Sequence, residues 1–137
     1  VKLKVHDSVF VPLAKWSMLL TGNYRCVTAG EGRAIKDAVH TDLEESREIY
    51  AWVDALARKL GADPADQVPF EKYARAAENL IKPSSAARAI YSGATRIERV
   101  DKLVQQVAAS LGMSHPSVDA TVDIVDHKLN ENSRVAA

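Results

Sequence analysis

The chain has 137 residues, the length of one domain that can form a core without disulfides or metals. Its 18 basic and 18 acidic side chains give a formal net charge of zero, which disfavours binding to nucleic acids and to anionic membranes. It has a single cysteine and no apolar run approaching the roughly 18 residues of a membrane-spanning helix. We therefore expect a cytoplasmic domain without an internal disulfide.

The first nine residues have a different hydrophobic pattern from the rest of the chain. Val1, Leu3 and Val5 alternate with polar residues, as in a short strand or an extended linker. Because a single terminal strand has no pairing partner, we expect residues 1–9 to be the exit from a preceding domain that is absent here. Helical patterns fill residues 10–129, and residues 130–137 are predicted to form a frayed polar tail.

The first predicted helix begins at residues 7–8 and ends near Gly22. Lys15 interrupts its apolar residues, since Val11 and Leu19 lie one helical turn away on either side. Two interpretations remain open for this lysine. Either its aliphatic stem runs along a dry surface to a solvated ammonium, or the ammonium is placed in a cleft where it takes part in chemistry.

The clearest amphipathic pattern follows Thr41. Thr41 and Glu44 have the spacing of a capping box, and Gly61 is at the position of a C-terminal cap. We predict a helix from near Thr41 to Gly61 that buries one stripe of apolar side chains. The stripe consists of Leu43, Ile49, Val53, Leu56 and Leu60.

Pro83 separates two further predicted helices. The first begins near Phe70 and extends to Ile81, where the proline ends it. Ser84 or Ser85 can then cap the second helix by accepting a hydrogen bond from a backbone N–H group.

The serine pair also has a functional interpretation. A helix start presents free N–H groups and a partial positive charge, and Lys82 and Arg88 are close by in sequence. This combination suits a carboxylate or a phosphate. The structural alternative is an ordinary N-cap with solvated basic neighbours.

The last two predicted helices complete an all-α domain. One runs from Arg96 to Leu111 and the other begins at Pro116. The apolar side chains at helical spacing in the first are Val100, Leu103, Val104, Val107, Ala108 and Leu111. Its charged residues, Asp101 among them, are predicted to be mostly solvated.

Several kinds of active site have no support in the sequence. The four histidines lack ligand spacing and H-E-x-x-H is absent, so no metal site is expected. There is no G-x-S-x-G segment of a serine hydrolase and no G-x-G-x-x-G segment that would bind a dinucleotide.

Three segments follow one another at a characteristic spacing. They are K-W-S-M-L-L-T-G-N (15–23, followed by V-T-A at 27–29), S-S (84–85) and R-I-E-R-V-D…L-G-M-S-H-P-S-V (96–118). In this order they resemble the K-L-x-x-N-x-x-x-N-x-L-T-A helix, the S-S-M-x-x-D segment and the T-E-I-D…G-x-x-x-P ending of ketopantoate reductases (2-dehydropantoate 2-reductases). The resemblance covers most of the chain and implies the all-helical fold of phosphogluconate dehydrogenase C-terminal domains.

The resemblance also implies roles for individual residues. Lys15 matches the family lysine that protonates the carbonyl oxygen of the substrate. Ser85 or Ser84 matches the serine that binds the substrate carboxylate, and Asn23 matches the second asparagine of the opening motif. Leu19 stands where the family has its first asparagine, so one polar contact is absent.

The catalytic glutamate of the family has no clean counterpart in this chain. The family's spacing between the serines and the glutamate places the glutamate position at Ile97. The family's spacing between the glutamate and the final glycine, here Gly112, places it at Arg96. Glu98 is the nearest acidic residue. We therefore name Arg96 and Glu98 as further substrate-binding candidates.

Two functions follow as expectations. The resemblance implies the substrate-binding half of an oxidoreductase that reduces a 2-keto acid to a 2-hydroxy acid. NADPH would be bound mainly by an absent upstream Rossmann domain, so this chain alone would be inactive. The complete enzyme could also form a homodimer. The alternative is a non-catalytic helical module that binds a partner or a second copy of itself.

Overall fold

The computed structural model describes residues 12–137, which form seven α-helices and no strand. The predicted all-α class is confirmed for this part of the chain, and the strand or linker predicted at residues 1–9 lies outside it. No helix within residues 12–137 is both long and apolar enough to cross a membrane. The helices are α1 (Leu13–Met18), α2 (Ile35–His40), α3 (Leu43–Lys59), α4 (Phe70–Ala77), α5 (Ser85–Tyr91), α6 (Val100–Ser110) and α7 (Pro116–Ala136).

The helix predicted to end near Gly22 continues beyond it. α1 passes into a π-helical turn, Leu19–Asn23, and then into a 3-10 turn, Tyr24–Cys26. A Cβ atom at position 22 would lie 2.0 Å from the hydroxyl oxygen of Tyr73. Gly22 therefore permits the close approach of α4 and does not end the helix.

The N-cap of the central helix, α3, is Asp42, one residue after the predicted cap Thr41. The Asp42 carboxylate, rather than the Thr41 hydroxyl, accepts a hydrogen bond from the backbone N–H of Glu45 at 3.1 Å. Asp42 satisfies one of the N–H groups that the first helical turn leaves without an intrahelical partner.

The middle of the predicted α3 stripe forms the core. Ile49, Val53 and Leu56 are buried, whereas Leu43 and Leu60 are each 39% exposed. The prediction was wrong for these two residues because they lie at the ends of the helix, where solvent still reaches the side chains.

α4 ends at Ala77, and the predicted continuation to Ile81 is wrong. The backbone carbonyls of Leu80 and Lys82 instead accept hydrogen bonds from the N–H groups of Lys36 and Ile35, at 3.0 and 3.1 Å. These two donors belong to the first turn of α2 and have no partner within that helix. The segment after α4 therefore leaves the helical conformation and caps α2.

The predicted polar tail is part of α7, which continues to Ala136. Its Asn132 side chain donates hydrogen bonds to the backbone carbonyls of Ile90 and Ala94, both at 2.8 Å. Since these carbonyls lie at the end of α5 and just beyond it, Asn132 attaches the last part of α7 to the domain.

Two groups of buried side chains stabilise the fold. The larger one is centred on α3 and includes residues of α1, α5, α6 and α7. The smaller one is aromatic: Tyr50 packs edge-on against Phe70 and stacks on Tyr73, with ring centroids 5.3 and 5.6 Å apart. This aromatic group joins α3 to α4.

The contrast between buried Leu56 and half-exposed Leu60 gives a test of this packing. Leu56→Ala should lower the free energy of unfolding by about 2–5 kcal/mol because it leaves a cavity in the core. Leu60→Ala, the matched control, should cost less than about 1 kcal/mol. Equilibrium urea denaturation measures both, and equal costs would contradict the placement of α3.

Candidate functional site

Ser84 joins the π-helical turn to α5. Its buried hydroxyl donates a hydrogen bond to the Asn23 carbonyl at 2.8 Å and accepts one from the Ala87 N–H group at 3.2 Å. The prediction that Ser84 or Ser85 caps this helix is confirmed for Ser84. Because its one hydroxyl hydrogen is already donated, Ser84 holds two elements together and has no donor left for a ligand.

A cavity of about 440 Å³ opens beside this joint. Asn23, Ser84 and Ser85, three of the predicted site residues, line it together with Lys82 and Arg88. The sequence therefore identified residues that the fold brings together from segments about 60 residues apart in the chain.

The side chains around the cavity give it a positive character. Lys82 and Arg88 line it, and none of its lining residues is acidic. Within residues 12–137, the side chains of Lys82, Ser85 and Arg88 have no hydrogen-bond or ion-pair partner. Their donors are free to bind an anion, and Ile35 and Leu80 add an apolar wall.

The other predicted site residues do not line this cavity. Lys15 is exposed on α1, and Arg96 and Glu98 are exposed in the segment before α6. Glu98 contributes its backbone instead, since its carbonyl accepts a hydrogen bond from the Tyr24 hydroxyl at 2.5 Å. A catalytic role for Lys15 stays a prediction.

Tyr24 is a structural residue that the sequence analysis did not single out. Besides donating to the Glu98 carbonyl, its hydroxyl accepts a hydrogen bond from the Val100 N–H group at 2.9 Å, which caps the start of α6. The pKa of Tyr24 is raised to about 12, and burial is the largest cause. The bond joins residues 76 positions apart, so no local pattern could have indicated it.

The charged residues at the start of α6 also have a structural role. Arg99 binds both oxygens of Asp101 at 2.9 and 3.0 Å and one oxygen of Asp126 at 2.6 Å. Asp101 is fully buried, so the expectation of a solvated charge was wrong for it. Burial opposes ionisation of Asp126, but hydrogen bonds from Arg99 and Lys102 outweigh it and lower the pKa of this carboxyl group. This ion network joins α6 to α7.

Residues 12–137 contain no group of three or more histidine, cysteine or acidic side chains arranged to hold a metal ion. Cys26 is buried, and its thiol lies 3.5 Å from the Gly22 carbonyl oxygen. Burial raises the pKa of this thiol, which makes it a poor nucleophile.

Comparison with known proteins finds no matching family model, no matching curated protein and no matching solved structure. The functional case therefore rests on the residues that line the cavity.

The two adjacent serines provide a test of the division between structure and binding. Ser84→Ala removes a cap and leaves the Asn23 carbonyl without its donor, so it should lower the free energy of unfolding by about 1–3 kcal/mol. Ser85→Ala, at an exposed position, should change it by no more than about 0.5 kcal/mol. Urea denaturation measures both. A larger loss for Ser85→Ala would contradict the assignment of the cap.

Proposed function

We propose that this chain is the substrate-binding domain of an NADPH-dependent oxidoreductase similar to ketopantoate reductase, with the phosphogluconate dehydrogenase C-terminal-like fold. The reaction is reduction of a 2-keto acid to a 2-hydroxy acid. The observation that carries the proposal is the cavity beside Ser84, where Asn23, Ser85, Lys82 and Arg88 meet without an acidic neighbour.

In this proposal the substrate carboxylate binds near the start of α5. The Arg88 guanidinium and the Ser85 hydroxyl supply the donors, and such charge-assisted hydrogen bonds are shorter and stronger than neutral ones. Lys82 adds a second positive charge, which disfavours uncharged ligands. We assign to the Asn23 amide, at the end of the π-helical turn, the role of orienting the keto group.

The chemical step requires hydride at the carbonyl carbon and a proton at the carbonyl oxygen. We assign the proton to the ammonium of Lys15, as the sequence resemblance implies. Lys15 is exposed and does not line the cavity, so in this proposal the site extends from the cavity along the surface to Lys15, and the upstream domain covers it. NADPH, which supplies the hydride when bound, would be held mainly by that upstream domain, because this chain lacks a G-x-G-x-x-G segment.

One observation favours the alternative of a helical interaction module. Leu80 and Ile81, at the rim of the cavity, are 41% and 72% exposed. In the oxidoreductase proposal these side chains contact the upstream domain or the second subunit of a homodimer. In the alternative they bind an unrelated partner, and the cavity has no ligand of its own.

Ligand-induced stabilisation distinguishes the two functions. We expect 2-oxo-3-methylbutanoate to raise the melting temperature of the chain in a concentration-dependent way, because it binds the folded state. Arg88→Gln should weaken the apparent affinity by about tenfold or more through the loss of a charge-assisted hydrogen bond. Arg75→Gln, an exposed arginine on α4 that does not line the cavity, is the matched control and should bind normally.

A melting temperature that does not respond to the keto acid, or an identical response in Arg88→Gln, would exclude the cavity as a carboxylate site. The interaction module would then be the better proposal.

The role of Lys15 is tested in the complete polypeptide that includes the upstream domain. Lys15→Ala should lower the turnover of a 2-keto acid by about 10²–10⁴-fold, the usual contribution of a positioned general acid. NADPH affinity, measured by fluorescence titration, should be unchanged. Lys72→Ala, at an exposed position of α4, serves as the control. Turnover at the parental rate in Lys15→Ala would remove the lysine from the mechanism.

A further inference from the structure

A second cavity, of about 320 Å³, lies between the segment that follows the 3-10 turn and the first turns of α7. It shares no lining residue with the cavity beside Ser84. One side is apolar and includes Val27, Ala120 and Ile124, and the other contains two arginines. This cavity is not part of the proposed substrate site.

The first of these arginines, Arg25, is occupied by the protein itself. It is 8% exposed, and its guanidinium donates to the Thr21 carbonyl at 3.1 Å, to the Ser46 hydroxyl at 3.0 Å and to Glu45 at 2.8 Å. The second oxygen of Glu45 accepts a hydrogen bond from the Ser117 hydroxyl at 2.9 Å. Arg25 and Glu45 therefore neutralise each other.

The guanidinium of the second arginine, Arg33, makes a single hydrogen bond within residues 12–137. Its Nε donates to the Arg25 backbone carbonyl at 2.9 Å, which fixes the plane of the guanidinium. Neither of its terminal nitrogens has a partner among residues 12–137. Arg33, which lines the cavity, thus keeps two terminal nitrogens as donors, and these can bind both oxygens of a carboxylate.

Thr28 supplies an additional donor. Its Oγ1 accepts hydrogen bonds from the N–H groups of Gly30 and Gly32, both at 3.1 Å, which leaves the hydroxyl hydrogen free to donate. The other two lining hydroxyls already donate within the protein, since Thr121 bonds to the Ser117 carbonyl and Ser117 bonds to Glu45.

The charge around the cavity favours one negative charge in the ligand. With Arg25 and Glu45 paired, the lining carries the single uncompensated charge of Arg33. The pKa of Arg25 is lowered, mainly by burial. The negative charge of Glu45 acts in the opposite direction, and the nearby positive charge of Arg33 lowers the pKa further. A bound anion would relieve this repulsion, and Glu45 would repel a doubly charged phosphate about twice as strongly as a monocarboxylate.

We propose that this cavity is a second ligand site, which binds a small aliphatic monocarboxylate. The carboxylate bonds to the terminal nitrogens of Arg33 and to the Thr28 hydroxyl, and the aliphatic group lies against Val27, Ala120 and Ile124. The site does not depend on the proposed oxidoreductase function, because it has its own residues.

The probe is 3-methylbutanoate, titrated into the isotope-labelled 137-residue chain and followed by amide nitrogen–proton correlation spectra. We expect saturable shifts at the amides of Thr28, Arg33 and Ser117. The uncharged 3-methylbutanamide has nearly the same shape and should not produce them. Amides at Asn79 and Arg88 report separately on the first cavity.

Two variants and one control test the assignment. Arg33→Gln should weaken binding by about tenfold or more, as expected for loss of a charge-assisted pair. Ala120→Phe, which fills the cavity without removing a side-chain hydrogen bond, should abolish the shifts. Arg88→Gln, the matched control, should leave them unchanged.

Equal shifts with the amide probe, binding that persists in both variants, or no saturable shift in the parent would overturn the proposal. If only the amides of the first cavity respond, the second site is excluded and the proposed substrate site stands. If only the amides of the second cavity respond, the second site stands, and the titration with the keto acid decides on the substrate site.

Discussion

The π-helical turn from Leu19 to Asn23 determines where the surrounding helices lie. The Tyr73 hydroxyl donates to the Met18 carbonyl just before the turn at 3.2 Å, and the Ser84 hydroxyl donates to the Asn23 carbonyl at its end at 2.8 Å. Tyr24, the next residue, holds the start of α6. Three helices are thus attached to one short segment. π-Helical turns are common near functional sites.

Both cavities have the same internal organisation. In each cavity, a buried residue whose hydrogen-bonding groups are occupied holds an accessible residue in place. The accessible residue keeps donors that are available to a ligand. Ser84 does this for the neighbouring Ser85, and Arg25 does it for Arg33 through its backbone carbonyl. Because the buried member is needed for stability and the accessible one is not, binding and folding can be altered separately. This separation is what makes the paired variants informative.

Local sequence patterns predicted the all-α class, the Ser84 cap and the core of α3, because periodicity and capping depend on neighbouring residues. They failed where distant parts of the chain decide the structure. Leu80 caps α2 instead of extending α4, and Gly22 makes room for Tyr73. The family resemblance named both Asn23 and Ser85, and these two residues line one cavity. The same resemblance named Lys15, which does not line the cavity.

A crystal structure of the chain soaked with 2-oxo-3-methylbutanoate tests the central claim most directly. We expect density for the acid beside Ser84, with its carboxylate within hydrogen-bond distance of Arg88 and the Ser85 hydroxyl and its keto oxygen towards Asn23. Density for the acid only elsewhere, or an empty cavity at a saturating concentration, would contradict the assignment of this cavity as the substrate site.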